Sequence, residues 1–140
     1  MTVVVDAGPL YSLVDRRDPS IDSVRELLER EPGYLLVSAF VVTEADYLIR
    51  TRLGIEAELQ FLRDLTSGAF SVECLTEAEI DEAGDVIRRY RELNLGLADA
   101  SMVILARKFG TRRLLTFDER DFRAVRPLQG GSFTLLPADA

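Results

Sequence analysis

Histidine is absent from the sequence, and this absence restricts the chemistry open to the protein. Without an imidazole there is no Ser-His-Asp or Cys-His nucleophile, no histidine acid–base pair and no histidine metal ligand. Cysteine is nearly absent too. Because Cys74 stands alone, it can form neither an internal disulfide nor a thiolate zinc site, and we interpret it as a small buried thiol. Hydrolytic chemistry would therefore depend on carboxylates that hold an oxygen-preferring ion such as Mg²⁺ or Mn²⁺.

The sequence also lacks long apolar runs. No stretch approaches the ~20 apolar residues that a membrane-spanning helix needs, and the first residues lack the basic segment of a signal peptide. We therefore expect a cytoplasmic protein with no membrane contact. With 140 residues, of which 47% are hydrophobic, the chain is long enough for a buried core, and we predict a single domain over residues 1–140.

Lysine is scarce, because Lys108 is the only one and arginine supplies the remaining positive charge. The net charge of −7 at first argues against a nucleic-acid partner. Arginine is well suited to phosphate groups, but the simpler explanation for any single arginine is a solvent-exposed ion pair.

Short apolar runs alternate with longer segments of helical periodicity. The predicted strands are residues 3–5, 34–37, 70–72, 113–116 and 133–136. The predicted helices are residues 21–31, 38–52, 55–65, 76–93, 97–109 and a short turn at 118–122. This alternation predicts an α/β fold with a mostly parallel sheet between helical layers.

Two acidic residues follow predicted strands directly. Asp6 ends the first strand, and Asp118 lies just past the strand at 113–116. Ligands of open α/β sheets bind beyond the carboxyl ends of the strands. We therefore expect these two carboxylates to be neighbours, with the small Ala7 and Gly8 leaving room beside Asp6.

Two more acids lie in apolar helices. Helical periodicity places Glu44 on the apolar stripe beside Val41 and Leu48. Asp99 lies in the first turn of a strongly apolar helix, where the helix dipole favours an anion. A carboxylate in either setting needs an explanation.

Each acid has a simpler explanation when it is taken alone. Asp6 would cap a helical turn that begins at Pro9, Glu44 would only reach the surface, and Asp99 and Asp118 would be ordinary acids at helix starts. The joint pattern is stronger, because it places four acids at one edge of the sheet. Converging carboxylates repel each other unless cations neutralise them, so the cluster implies Mg²⁺ or Mn²⁺.

Such a cluster changes the interpretation of the net charge. Removing the four acids and Asp121 from −7 leaves −2, so the acidity would be concentrated in the site. Solvent exposure or pairing with a partner's acids would explain the arginines equally well. The arginines that remain available to a phosphate backbone are Arg50, Arg52, Arg112, Arg113, Arg120 and Arg123.

These residues fall in four motifs that resemble the PIN-domain nucleases, specifically the VapC toxins of bacterial toxin–antitoxin pairs. The motifs are VVVDAGPL (3–10), VVTEADYLI (41–49), LGLADASMVILAR (95–107) and LLTFDERDF (114–122). The ending FTLLPAD (133–139) also looks like this branch. Each motif alone is weak, but the four together, in the family's order, are specific and span nearly the whole chain.

The resemblance implies a PIN-like three-layer α/β/α fold with a small, mostly parallel central sheet, and a Mg²⁺- or Mn²⁺-dependent endoribonuclease. Asp6, Glu44, Asp99 and Asp118 would be the catalytic and metal-binding quartet, with Thr116 as an auxiliary hydroxyl. The family also implies a homodimer, neutralised by a cognate VapB-type antitoxin whose C-terminal segment lies in the active-site groove.

Asp121 departs from the family pattern, in which histidine or another residue often stands at this position. The extra acid would either join the metal-binding group or cap the turn, and we favour the cap. Hydrolysis by water should leave a 5′-phosphate and a 3′-hydroxyl. The candidate RNA-binding residues are Arg112, Arg113 and Arg120.

Two other functions remain open. Aspartyl-phosphate chemistry is compatible with Asp6, but Gly8 occupies the place of the second acid that such phosphatases need, and Lys108 lies inside a predicted helix. A non-catalytic binding module could keep the same fold as a scaffold. The intact quartet argues against it, and Mn²⁺ binding would distinguish the two.

Overall fold

Five short parallel strands form the centre of the molecule. The computed structural model describes residues 1–30 and 34–140. The strands are Thr2–Val5 (β1), Tyr34–Ser38 (β2), Phe70–Glu73 (β3), Arg113–Leu115 (β4) and Thr134–Leu136 (β5). They are ordered β3-β2-β1-β4-β5, and all four pairings are parallel, which agrees with the mostly parallel sheet that the sequence predicts.

Among the described residues, seven α-helices complete a three-layer α/β/α arrangement around this sheet. They are Ala7–Val14 (α1), Ile21–Arg30 (α2), Ala39–Leu53 (α3), Ile55–Leu65 (α4), Glu77–Arg89 (α5), Leu97–Lys108 (α6) and Glu119–Ala124 (α7). Within the described ranges, no helix has both the length and the apolar character needed to cross a bilayer.

β1 lies at the centre of the sheet and carries the start of the site. Val4 pairs with Leu36 of β2 on one side and with Leu114 of β4 on the other, and all three side chains are fully buried. The ladder continues past the strand, because the Asp6 amide donates to the Leu115 carbonyl at 2.9 Å. The main chain of Asp6 is thereby fixed at the carboxyl edge of the sheet.

A buried pair of hydroxyl groups connects the two helices that carry the internal acids. Ser38 accepts a hydrogen bond from the Phe40 amide at 3.2 Å, which caps α3. Its hydroxyl lies 2.6 Å from that of Ser101 in α6, and both side chains are inaccessible to solvent. The start of α3 is therefore tied to the first turns of α6.

Three sequence predictions need correction. α1 is a helix of two turns rather than a turn beginning at Pro9, because the Asp6 side chain caps it at Ala7. The predicted helix 76–93 ends at Arg89, and a short 3₁₀ turn at Arg91–Leu93 follows it. Cys74 is exposed rather than buried, because it follows the edge strand β3. The predicted end of the helix 21–31, at 31–33, lies outside the described residues.

Candidate active site

A cleft of about 510 Å³ opens beyond the carboxyl ends of β1 and β4. The four predicted acids and Asp121 all line it, so the structure brings the whole predicted set together. The lining residues are Asp6, Ala7, Gly8, Glu44, Leu48, Asn94, Asp99, Phe117, Asp118 and Asp121.

Asp6 is buried at the base of the cleft, with 9% of its surface exposed. Its Oδ1 accepts a hydrogen bond from the Ala7 amide at 2.8 Å, and its Oδ2 accepts one from the Thr116 hydroxyl at 2.7 Å. Burial raises the pKa of Asp6, these hydrogen bonds oppose the rise, and the charges of Asp99 and Asp118 add to it. Asp6 therefore caps α1 and lines the cleft at the same time.

Thr116 connects the two acids that end strands. Its hydroxyl donates to Asp6 and accepts from the Asp118 amide at 3.0 Å. Asp118 in turn accepts from the Asp121 amide at 3.0 Å through Oδ1, which caps α7. One buried hydroxyl thus fixes the Asp6 carboxylate and the chain leading to Asp118, which fits the predicted auxiliary role of Thr116.

Asp99 is half-buried in the first turn of α6, as predicted. Its Oδ2 accepts a hydrogen bond from the Gly96 amide at 3.1 Å. Burial raises the pKa of Asp99, the Gly96 bond opposes the rise, and the negative charge of Asp118 adds to it. Asp99 therefore bonds to the start of its own helix and also lines the cleft, and its role as a metal ligand stays a prediction.

Glu44 reaches the cleft from a position that the sequence did not predict. The buried face of α3 consists of Val41, Ala45 and Ile49, and Glu44 lies beside this face as an exposed residue. Its placement on the apolar stripe was therefore wrong. Its pKa is nevertheless raised, first by partial loss of solvent against the cleft wall and then by the charges of Asp6 and Asp99.

Asp121 contributes a fifth carboxylate to the cleft. The cap of α7 is the side chain of Asp118, not that of Asp121, so the turn-capping interpretation of Asp121 was wrong. Burial raises the pKa of Asp121, and the adjacent Asp118 carboxylate raises it further, while Arg120 opposes the rise.

The donor chemistry of this cleft fits a hard divalent cation. Its polar lining consists of carboxylates and one amide side chain, with no lysine or arginine to neutralise them. The carboxylates surround the cleft rather than converge. Within residues 1–30 and 34–140, no three acidic, histidine or cysteine side chains form a ready-made metal site.

The predicted RNA-binding arginines are not all near the cleft. Arg112 and Arg113 lie at the amino end of β4, the opposite edge of the sheet. Arg112 donates to the carbonyl oxygens of Gly130 and Gln129, and Arg113 contacts the sulfur of Met1. Arg120 lies in α7 beside Asp121. RNA contact by these three stays a prediction, and only Arg120 is adjacent to the cleft.

Sequence reasoning missed three residues of the cleft lining, which are Leu48, Asn94 and Phe117. Asn94 follows the 3₁₀ turn in a left-handed conformation, with φ of 57°, and Phe117 lies between Thr116 and Asp118. Each lies within five residues of a predicted acid along the chain, so an inspection of the sequence around each acid could have found it.

Comparison with known proteins decides the family. The model of the PIN domain matches residues 3–127. Ribonuclease VapC26 of Mycobacterium tuberculosis is 39% identical over 135 residues, which cover 96% of this chain and 100% of that protein. The chain belongs to the PIN-domain family. Its resemblance to the VapC branch is thereby confirmed.

Solved structures of other VapC proteins share the fold of this PIN domain. Mycobacterium tuberculosis VapC20, described as a sarcin-ricin loop cleaving toxin, has a TM-score of 0.80 at 22% identity, covering 87% of this chain and 94% of that chain. VapBC2 of Rickettsia felis, bound to a promoter DNA fragment, has a TM-score of 0.69 at 14% identity, covering 96% and 98%. These likenesses confirm the three-layer α/β/α prediction.

Proposed function

We propose that this PIN domain is a Mg²⁺- or Mn²⁺-dependent endoribonuclease, the toxin of a type II toxin–antitoxin system. The observation that carries the proposal is the ring of five carboxylates around one cleft, at the edge of a parallel sheet where ligands bind. The 39% identity to a protein named as a ribonuclease, over nearly the full length of both, supports RNA as the substrate.

Asp6 and Asp99 are the proposed principal metal ligands, with Asp118 and Glu44 in support. When bound, Mg²⁺ or Mn²⁺ would supply Lewis-acid polarisation of the phosphoryl oxygens and a lower pKa for coordinated water. The pKa values of Asp6 and Asp99 are raised mainly because burial disfavours the charged carboxylates, and nearby carboxylates add to the rise, so a bound cation would favour the charged forms. Thr116 is a positioning residue, because its hydroxyl fixes the Asp6 carboxylate.

Two partners belong to the same proposal. An acidic cleft attracts a basic segment, so a cognate VapB-type antitoxin would inhibit by laying its C-terminal segment over the carboxylates. The solved relatives include the toxin–antitoxin complex from Klebsiella pneumoniae and VapBC2 of Rickettsia felis, which supports an antitoxin partner. The proposal also includes a homodimer and a cytoplasmic location.

The decisive experiment measures metal binding and RNA cleavage together. Wild type, Asp6→Asn and the control Asp81→Asn, an exposed acid of α5, are incubated with RNA and Mn²⁺ or with a chelator. We expect cleavage and a Mn²⁺-dependent rise in melting temperature in wild type and Asp81→Asn, and neither in Asp6→Asn. Full metal-dependent cleavage by Asp6→Asn would refute the site assignment, and 2′,3′-cyclic phosphate ends would refute hydrolysis by water.

The same experiment separates the two alternative functions. A non-catalytic module would show neither cleavage nor a Mn²⁺ shift that depends on Asp6. Aspartyl-phosphate chemistry is less well supported, because both Asp6 oxygens accept hydrogen bonds and Lys108 pairs with Glu79 at 3.2 Å on α5.

A further inference from the structure

A second cavity, of about 220 Å³, lies along the same segments of chain that line the carboxylate cleft. Three segments each contribute one residue to the cleft and another, four or five positions away, to this cavity. The pairs are Asn94 and Tyr90, Asp99 and Val103, and Asp121 and Arg126. Along α6, four residues correspond to about 6 Å. The two cavities are therefore neighbours, separated by roughly one helical turn. We call the second one the Arg126 pocket, defined by Val86, Arg89, Tyr90, Val103, Arg126 and Leu128.

The inner surface of the Arg126 pocket is apolar and carries one aromatic ring. Val86 and Val103 are almost completely buried and form its base, and Leu128 is partly exposed at its edge. The Tyr90 hydroxyl accepts a hydrogen bond from the Arg126 amide at 3.1 Å, which fixes the ring against the chain that follows α7. A planar apolar group could stack on this surface.

The charge around the Arg126 pocket is positive once its ion pairs are counted. Glu82 and Asp85 also line it, but Glu82 is paired with Arg107 at 2.6 Å and Asp85 with Arg88 at 2.6 Å. Arg89 lies over the Tyr90 ring, 5.7 Å from its centre.

Arg126 completes this positive edge. Across residues 1–30 and 34–140, its guanidinium makes no hydrogen bond or ion pair, and the side chain is exposed. Two guanidinium groups therefore remain available to an anion at the rim of an apolar surface. A ligand that combines a planar ring with a phosphate satisfies both features.

We propose that the Arg126 pocket binds a nucleotide of single-stranded RNA next to the phosphate held in the carboxylate cleft. The base stacks on Tyr90 against the apolar base of the pocket, and Arg89 and Arg126 bind the flanking phosphate. This inference rests on the proposed ribonuclease function, because it extends the path of the same strand. An acidic peptide could use the two arginines, but it would leave the apolar surface and the Tyr90 ring without a partner.

Binding of fluorescently labelled single-stranded RNA, measured by anisotropy in Ca²⁺ at several salt concentrations, tests this inference. The variants are Arg89→Gln, Arg126→Gln and the charge-matched control Arg63→Gln, an exposed residue of α4 whose guanidinium donates to Gln60 at 3.0 Å. We expect each pocket variant to weaken binding about 3- to 10-fold and to reduce the salt dependence by about one counterion. The control should bind as wild type does, and the Mn²⁺ thermal shift should be unchanged in all three.

A length series of RNA substrates provides the second measurement. Extending the RNA by nucleotides on the pocket side should raise kcat/KM in wild type, and this gain should disappear in Arg126→Gln and in Tyr90→Leu. Equal affinity and an equal length gain in Arg126→Gln and Arg63→Gln would overturn the inference while leaving the ribonuclease proposal intact. If the variants Arg89→Gln and Arg126→Gln lost binding to an acidic peptide but kept RNA binding, the inference would be overturned in favour of a protein partner. A wild-type protein that neither binds nor cleaves RNA would overturn both proposals.

Discussion

The Thr116 hydroxyl offers a quantitative test of how the cleft is held together. Thr116→Val keeps the shape of the side chain but removes the hydroxyl that donates to Asp6 and accepts from the Asp118 amide. Only 1% of Thr116 is exposed, so water cannot replace the hydroxyl at its own position. The substitution therefore removes one buried and one partly buried hydrogen bond at one site.

The expected loss follows from the partners of these bonds. A hydrogen bond to a charged group contributes about 1.5–3 kcal/mol, and a neutral bond contributes about 1 kcal/mol. Asp118 is only half-buried, so its amide recovers part of its bonding from water. We expect Thr116→Val to lower the free energy of unfolding by about 2–4 kcal/mol.

Thr111 supplies a matched control at the other end of β4. Its hydroxyl donates to the Thr2 carbonyl at 2.6 Å and accepts from the Arg113 amide at 3.1 Å, and 7% of the residue is exposed. Thr111→Val thus removes the same number of bonds, but neither partner is charged. We expect Thr111→Val to lower the free energy of unfolding by about 1–2 kcal/mol.

Urea denaturation of the metal-free proteins measures both losses, with the slope of the transition held constant between variants. Thr116→Val should also reduce RNA cleavage and the Mn²⁺ thermal shift, because the Asp6 carboxylate loses the bond that lowers its pKa. Thr111→Val should retain both. A decrease of less than about 1 kcal/mol in the free energy of unfolding of Thr116→Val would refute the reasoning. Equal effects of the two variants on the Mn²⁺-dependent rise in melting temperature would refute it as well.

Two further predictions concern Glu58 and Gly8. The pKa of the nearly buried Glu58 is raised, first by its contact with the Asp46 carboxyl and then by burial. Because folding therefore favours the protonated form of Glu58, the stability of the protein should fall as the pH rises above the ordinary glutamate pKa. Glu58→Gln should therefore gain stability relative to wild type as the pH rises above the ordinary glutamate pKa, measured by urea midpoints, whereas a pH-independent difference would contradict the raised pKa. A Cβ at Gly8 would lie 3.1 Å from the ring of Phe117, which is 39% exposed and can shift. Gly8→Ala should therefore lower the free energy of unfolding by less than about 1 kcal/mol in the same assay. Gly8→Val should obstruct the cleft and reduce RNA cleavage, and wild-type cleavage by it would count against this role for Gly8.

The mostly parallel sheet and the strand-end acids follow from rules that operate over short distances. Asp6 and Asp118 could be predicted as neighbours because parallel strands end at one edge of a sheet, and the structure places both on one cleft. Asp99 could be predicted because the first turn of an apolar helix holds an anion. Each of these predictions needs only the local sequence and one topological rule.

Other features depend on contacts that the local sequence does not contain. The buried face of α3 is set by how it packs on α1, α4 and α6, and this packing turns Glu44 to the surface. The helix predicted to reach residue 93 stops at Arg89, where the Tyr90 hydroxyl bonds to the Arg126 amide, a partner 36 residues away. Periodicity along one segment could show neither contact.

The central position of β1 has a consequence for the synthesis of the protein. β1 leaves the ribosome before the other strands that the structure describes, and its second neighbour, β4, begins only at Arg113. Until residue 118 has emerged, Asp6 lacks the Thr116 hydroxyl, and the wall of the cleft that carries Asp118 does not exist. An unfinished chain therefore has no complete site. A nuclease arranged in this way cannot cut RNA until the segment that carries Thr116 and Asp118 has been translated.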